Sequence, residues 1–292
     1  MQLAILGFGL IGGSVARALH ERASAEWTIT AWSPGGGGPA AAVAAGAIRS
    51  AAASAGEAVV GADIVLLAAP PIECLRLIDD LAGPLHSALA SGAVVTDVAS
   101  TKRHIVKRAA GHGLPFVGGH PMAGRETAGY AAADPGLFVD RPWVICDGGA
   151  PEGAVKIVER LATAVGALPI RMDAATHDAA VAGVSHLPLV LAAALVEAVL
   201  AEDGMPHARE LAASGWRDMT RLARGDPAMG AGIAATNADL IADRLRAMIA
   251  VLETWLGELD REGGSDPQRL EARFAAARRL LDRDPGKGSD GG

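Results

Sequence analysis

The sequence predicts an α/β fold, a mainly parallel and doubly wound sheet, followed by an all-helical domain. Three observations carry the prediction. Short strand-like runs alternate with helical stretches up to about residue 172. From about Ala174 to Leu259 strand signals vanish and long Ala- and Leu-rich helical periods take over. Residues 5 to 16 place a Gly-x-Gly-x-x-Gly between a short apolar run and a helix-like stretch.

The first strand, residues 2–6, leads into Gly7, Gly9 and Gly12. Gly7 permits the tight turn out of the strand, Gly9 lets backbone approach a pyrophosphate, and Gly12 lets the next helix, running to about His20, pack close to the sheet. The phosphates would meet the unpaired N–H groups at that helix's start, at Leu10 and Ile11. A dinucleotide is the expected ligand, which makes the α/β domain Rossmann-type. The further expected strands are 28–32, 64–68, 94–97, 116–118, 143–146 and 168–172, with a low-complexity loop at 35–38. Helices are expected over 174–183, 187–201, 207–216 and 237–259, and a short charged one over 268–281. The division is a dinucleotide-binding domain at 1–172, a helical substrate and dimerisation domain at 173–262, and a polar tail at 263–292 with a disordered end from Pro285.

The stretch from Leu187 to Leu200 is interrupted by Pro188 and Glu197 and preceded by His186, so it reads as a buried helix and falls short of a membrane span. Helices this apolar need cover on most sides, and a homodimer through the helical domain is the simplest cover. A net charge of −7 and a pI near 5.6 exclude a nucleic-acid partner, so basic residues should matter singly. Two cysteines, Cys74 and Cys146, form no disulfide framework. No Lys or Arg precedes the first apolar run, so no signal peptide is expected and the chain reads as cytoplasmic. No metal site is expected.

The second strand of such a fold normally ends in an acidic residue for the ribose 2′-hydroxyl, and here that place is Ser33. Without a carboxylate a 2′-phosphate is tolerated, which favours NADP over NAD. Ser33 equally reads as the start of a turn, no Arg follows directly, and Arg49 is a distant candidate for the phosphate.

Three further segments carry chemistry: Asp97-Val98-Ala99-Ser100-Thr101-Lys102, Gly118-Gly119-His120-Pro121-Met122-Ala123-Gly124, and Val184-Ser185-His186-Leu187-Pro188. With Gly215-Trp216-Arg217-Asp218-Met219-Thr220-Arg221-Leu222-Ala223 and Gly225-Asp226-Pro227 they resemble the prephenate and arogenate dehydrogenases of tyrosine biosynthesis, in that family's order from residue 2 to about 260. On the residues alone, Ser100 and His120 follow strand ends at the crevice of an open parallel sheet. His120, between Gly119 and Pro121, has little freedom, and an ordinary pKa of about 6.5 suits a general base. A lone His in a loop also reads as structural, and Ser100 reads as the N-cap of a helix from Thr101.

The resemblance implies an NAD(P)-dependent oxidative decarboxylation of a cyclohexadienol bearing a ring carboxylate. His120 would bond the C4 hydroxyl and Ser100 would orient His120. Arg221 matches the family's position for a substrate carboxylate, which a planar guanidinium binds bidentately. Ser185 and His186 match the substrate-side helix start, although His186 also reads as packing at the domain junction. His177-Asp178 reads as a structural pair there, and Arg217 as exposed or paired with Asp218.

Two departures stand out. Leu189 occupies the place where many prephenate-specific members carry a second histidine, which opens arogenate as substrate; Met229-Gly230 stands where a tryptophan is usual. The family's fused mutase and regulatory domains are not expected, so inhibition by tyrosine would be competitive. Two other classes compete with this reading: a β-hydroxyacid or imine-reducing dehydrogenase, for which Lys102 is the lysine to test, and a non-catalytic cofactor-binding regulator. The regulator has no need of the Ser100, His120 and Arg221 set.

Overall fold

The computed structural model describes residues 1–200 and 207–283; the end of the tail, from 284, lies outside the described residues, as does the last position of the helix expected to reach 201. By contacts the chain forms two compact units, Met1–Ile241 and Ala242–Gly292.

The first unit contains one eight-stranded sheet of order β3-β2-β1-β4-β5-β6-β7-β8. Its strands are β1 (Gln2–Leu6), β2 (Thr28–Trp32), β3 (Ser50–Ala51), β4 (Ile64–Leu67), β5 (Val94–Asp97), β6 (Phe116–Pro121), β7 (Pro142–Cys146) and β8 (Leu168–Arg171). All pair in parallel except β6 with β7. Helices α1 (Leu10–Ala23), α2 (Gly37–Ala44), α3 (Ala55–Val59), α4 (Pro71–Ala82), α5 (Arg103–Gly111) and α6 (Glu152–Ala164) make the crossovers. Two apolar clusters cover the two sheet faces, which is why β4, Ile-Val-Leu-Leu, is buried at every position. In α4, Pro71 sits at the first turn and Cys74, Leu77, Ile78 and Leu81 face the core at helical spacing. Strand order reverses between β1 and β4, and the crevice for ligands lies at the carboxyl ends there.

Four local expectations are corrected. The loop expected at 35–38 already contains the start of α2, because Gly36 takes φ +65° and turns the chain into the helix. Strand β6 extends to Pro121, so His120 is a strand residue and not a loop residue; antiparallel pairing of His120 with Val144 holds it there. The helix expected to start afresh at the Ser185-His186-Leu187-Pro188 segment is instead continuous with the preceding one. α7 (Ala174–Val181) passes through a π-turn at Ala182–His186 into α8 (Leu187–Leu200), the wider turn easing the loss of the Pro188 N–H. The helix expected over 207–216 is displaced: α9 spans Ser214–Thr220, followed by a 3₁₀ turn at Arg221–Arg224 and then α10 (Pro227–Thr236). α10 begins where Asp226 accepts the Met229 N–H and Pro227 fills the first turn.

The α7–α8 helix runs 27 residues, long and apolar enough by length and composition to cross a membrane. Within one chain α8 buries only Ala192, so the cover expected for this apolar helix is not supplied by the described residues of its own chain. The same helix buries His177, Asp178 and His186 in hydrogen bonds to the sheet domain and to Asn237, groups that are costly in hydrocarbon. α11 (Ala238–Leu259) and α12 (Pro267–Asp282) complete the described residues. In the second unit Trp255 and Phe274 lie 4.9 Å apart, with the Arg273 guanidinium over the Trp255 ring.

Candidate active site

The glycine turn after β1 has the geometry a dinucleotide needs. Gly7 has φ +93°, and a side chain there would strike the Ala68 carbonyl at the end of β4; a Cβ on Gly12 would lie 2.5 Å from the Gly7 carbonyl oxygen. Nothing lies within 4 Å of a Cβ built on Gly9, so backbone there is open to a bound group. Gly9 precedes α1, where the N–H groups of Leu10, Ile11 and Gly12 have no intrahelical partner and no acidic side chain stands in the first turn. These residues fit a pyrophosphate. Ser33 follows β2 directly and is half-buried, and its carbonyl accepts the Gly36 N–H, so it also begins a turn.

The loop after β5 is fixed by a buried ion pair. Asp97 and Lys102 pair with both side chains inaccessible. Asp97 also accepts the N–H groups of Ala99 and Gly119, and Lys102 Nζ donates to the Gly119 carbonyl at 2.8 Å. Burial pushes the Asp97 carboxyl up, against the pull of Lys102 and the two amides. Gly119 must be glycine here, since a Cβ would lie 2.5 Å from the Asp97 carbonyl oxygen. The lysine is therefore a structural clamp between β5 and β6.

Register then places His120. Thr96 pairs with Val117, so His120 lies beyond the end of β5, in the crevice. Its Nδ1 is 2.8 Å from His177 Nε2, and His177 Nδ1 is 2.8 Å from Asp178 Oδ1. Asp178 also accepts the backbone N–H groups of Lys102 and Arg103 at 2.7 and 2.8 Å, so it caps α5 from another helix. Burial pushes the Asp178 carboxyl up, but the His177 hydrogen bond and the two amides outweigh it and hold it below the ordinary carboxylate range. For His120, burial first and then the neighbouring His177 and Lys102 hold the pKa well below the usual histidine value.

Two roles expected for Ser100 are corrected. It does not cap α5, because Asp178 takes the helix's first amides. Nor does it bond His120, whose Nδ1 is taken by His177; Ser100 Oγ is buried without a partner. His186 is fully buried: Asn237 Nδ2 is 3.1 Å from its Nδ1 and also donates to the Asp178 carbonyl, while Nε2 has no partner. Burial lowers its pKa to about 4, against the opposing effects of Asp178 and the Ser100 carbonyl. Ser100 and His186 are thus neighbours with one unpaired polar atom each. Ser185, in the π-turn, is half-buried.

Arg221 is exposed and pairs with Glu126, which lies six positions after His120 on the loop leaving β6. Arg217 is exposed. Leu189 faces α10, its Cδ2 4.0 Å from where a Gly230 Cβ would lie, so the two departures from the family pattern share one wall. Sequence reasoning missed Glu126 and Asn237, which carry no local motif, and it read His177-Asp178 as merely structural. Spacing gave no sign that His177 meets His120, 57 residues away. Among the described residues no group of three or more His, Cys, Asp or Glu side chains is placed to hold a metal ion.

A glycine cradle at the switch point of a parallel sheet, beside a buried histidine held in one orientation, defines a nicotinamide-dependent oxidoreductase. Two family models match: prephenate dehydrogenase, nucleotide-binding domain, over residues 15–170, and prephenate dehydrogenase, dimerization domain, over residues 173–266. The chain belongs to the prephenate dehydrogenase family. It is 33% identical over 275 residues to prephenate dehydrogenase of Bacillus subtilis (strain 168), covering 89% of this chain and 68% of the relative. Among solved structures it is similar to Synechocystis arogenate dehydrogenase, at 29% identity and TM-score 0.73 over 98% of both chains. It is also similar to prephenate dehydrogenase from A. aeolicus in complex with hydroxyphenyl propionate and NAD+, at 25% identity and TM-score 0.85 over 97% of this chain and 98% of that one.

Proposed function

We propose that this protein catalyses the oxidative decarboxylation of arogenate to tyrosine, with prephenate as a second substrate and NADP favoured over NAD. The observation that carries the reaction is His120, with Nδ1 engaged by His177 and Nε2 making no hydrogen bond among the described residues. Gly7, Gly9, Leu10, Ile11, Gly12 and Ser33 would hold the oxidised nicotinamide dinucleotide, which would supply a hydride acceptor for the substrate's carbinol carbon. His120 Nε2 takes the C4 hydroxyl proton and returns it to the oxygen as carbon dioxide leaves and the ring becomes aromatic. Ser100 Oγ and His186 Nε2, buried and unpaired, offer hydrogen bonds that a bound molecule satisfies, with Ser185 beside them on the π-turn. Arg221 holds a substrate carboxylate after releasing Glu126.

The preference for arogenate rests on the Leu189–Gly230 wall, which offers no imidazole to a pyruvyl carbonyl. The preference for NADP rests on Ser33, a hydroxyl where a carboxylate would repel a 2′-phosphate. Residues 1–172 bind the dinucleotide and 173–262 complete the substrate site and join two copies in a soluble, cytoplasmic homodimer, the α8 face being covered by the second copy. The test is reduced-nicotinamide absorbance in four assays pairing arogenate or prephenate with NADP or NAD. The highest rate with arogenate and NADP supports the proposal; a preference for prephenate overturns the Leu189 argument, and no rate in any pairing overturns the reaction.

A further inference from the structure

We infer that His177 and Asp178 are positioning residues that set the tautomer of His120, keeping its proton on Nδ1 and its Nε2 lone pair free. The inference rests on the reading of His120 as the base and adds what makes it one.

The argument follows the donors and acceptors along the chain. The Asp178 carboxylate accepts two backbone N–H groups at the start of α5 and lies 3.4 Å from Arg103 Nε, an environment that keeps it ionised and acceptor-only. The 2.8 Å contact to His177 Nδ1 therefore requires a proton on that nitrogen. With a single proton on His177, held at Nδ1, its Nε2 is bare, and the 2.8 Å contact from it to His120 Nδ1 requires that His120 supply the proton. Neutral imidazole carries one N–H, so His120 Nε2 is left as an acceptor. A proton arriving at Nε2 makes an imidazolium whose Nδ1–H is already donated toward His177 and, through it, toward the Asp178 carboxylate. The opposite polarity, with His177 Nε2–H donating to His120 Nδ1, would need a second proton on His177, because its Nδ1 proton is already given to Asp178.

The surroundings give the chain little freedom to rearrange. His177 and Asp178 are buried, and the rings of His120 and His177 meet edge to face at 5.0 Å. Arg103, which touches Asp178, is itself clamped to Asp239 and Asn237, and Asn237 donates to the Asp178 carbonyl. Both ends of the chain are thereby tied to α5 and to the start of α11.

Long-range proton–nitrogen spectra of the ¹⁵N-histidine-labelled protein, with His120 assigned through His120→Asn, read the tautomer without substrate or turnover. The expected result is protonated Nδ1 and bare Nε2 at His120 in the wild-type chain, and a tautomer mixture in His177→Leu. In parallel, His177→Leu should lower kcat by about 10²-fold with the substrate KM and dinucleotide affinity within about twofold, a split that general loss of structure does not give. His177→Gln, which keeps an acceptor at the Nε2 position, should recover part of kcat. A wild-type His120 protonated on Nε2 overturns the inference, as does a His177→Leu variant with unchanged tautomer or unchanged kcat. Failure of His120 as base would show separately, as undiminished turnover in His120→Ala.

Discussion

Lys102 and Asp97 form an ion pair in which neither side chain reaches solvent, directly beneath the segment that carries Ser100. Such a pair is costly to break singly, because the remaining charge is left buried. Lys102→Met should lower unfolding free energy by about 3–5 kcal/mol, and Lys102→Met with Asp97→Asn should recover much of that loss. Urea titration checks both. A Lys102→Met variant with an unchanged urea midpoint and abolished turnover would instead return Lys102 to the catalytic role it has in the competing dehydrogenase reading.

Arg221 and Glu126 make opposite predictions for one Michaelis constant. Arg221→Ala removes charge-assisted hydrogen bonds to a carboxylate and should raise the substrate KM by about 10- to 100-fold. Glu126→Gln removes a competitor for the same guanidinium, and because that pair is largely exposed the KM should fall by no more than about fivefold. Initial rates across a substrate series distinguish the two.

His186 makes stability depend on pH. Its folded pKa of about 4 lies below the unfolded value, so between about pH 6.5 and pH 4 the unfolded chain binds a proton that the folded chain does not. Its stabilising contribution is complete above about pH 6.5 and is lost as pH falls toward 4, a change of order 3 kcal/mol. Asp79 and Asp239, held at about 2 by Arg108 and Arg103, add losses only at lower pH. Urea midpoints at pH 7 and pH 4.5 should differ accordingly, and the difference should shrink in His186→Gln.

Ser33→Asp places a carboxylate beside the expected 2′-phosphate. The KM for NADP should rise by about tenfold or more, with that for NAD unchanged or lower. Equal effects on both cofactors would remove Ser33 from the 2′ site.

What could be read from the chain was local. The glycine turn at Gly7, the apolar strands and the change to helices after β8 follow from short-range pattern, and the structure contains them. The position of His120 beyond β5 depends on register between β5 and β6, which no single strand's sequence encodes. The cap of α5 is not legible in its own segment, because its acceptor, Asp178, comes from 75 residues further along the chain. Helix α10 is legible in Asp226-Pro227, a cap followed by a proline in the first turn.

His120 carries the proton in every step argued above, so His120→Asn reports on the mechanism most directly. With saturating dinucleotide and the better of the two substrates, kcat should fall by about 10²- to 10⁴-fold while dinucleotide affinity, read by fluorescence titration, stays within about twofold. Wild-type turnover in His120→Asn would contradict a base at this position and with it the chain His120–His177–Asp178 as a catalytic arrangement.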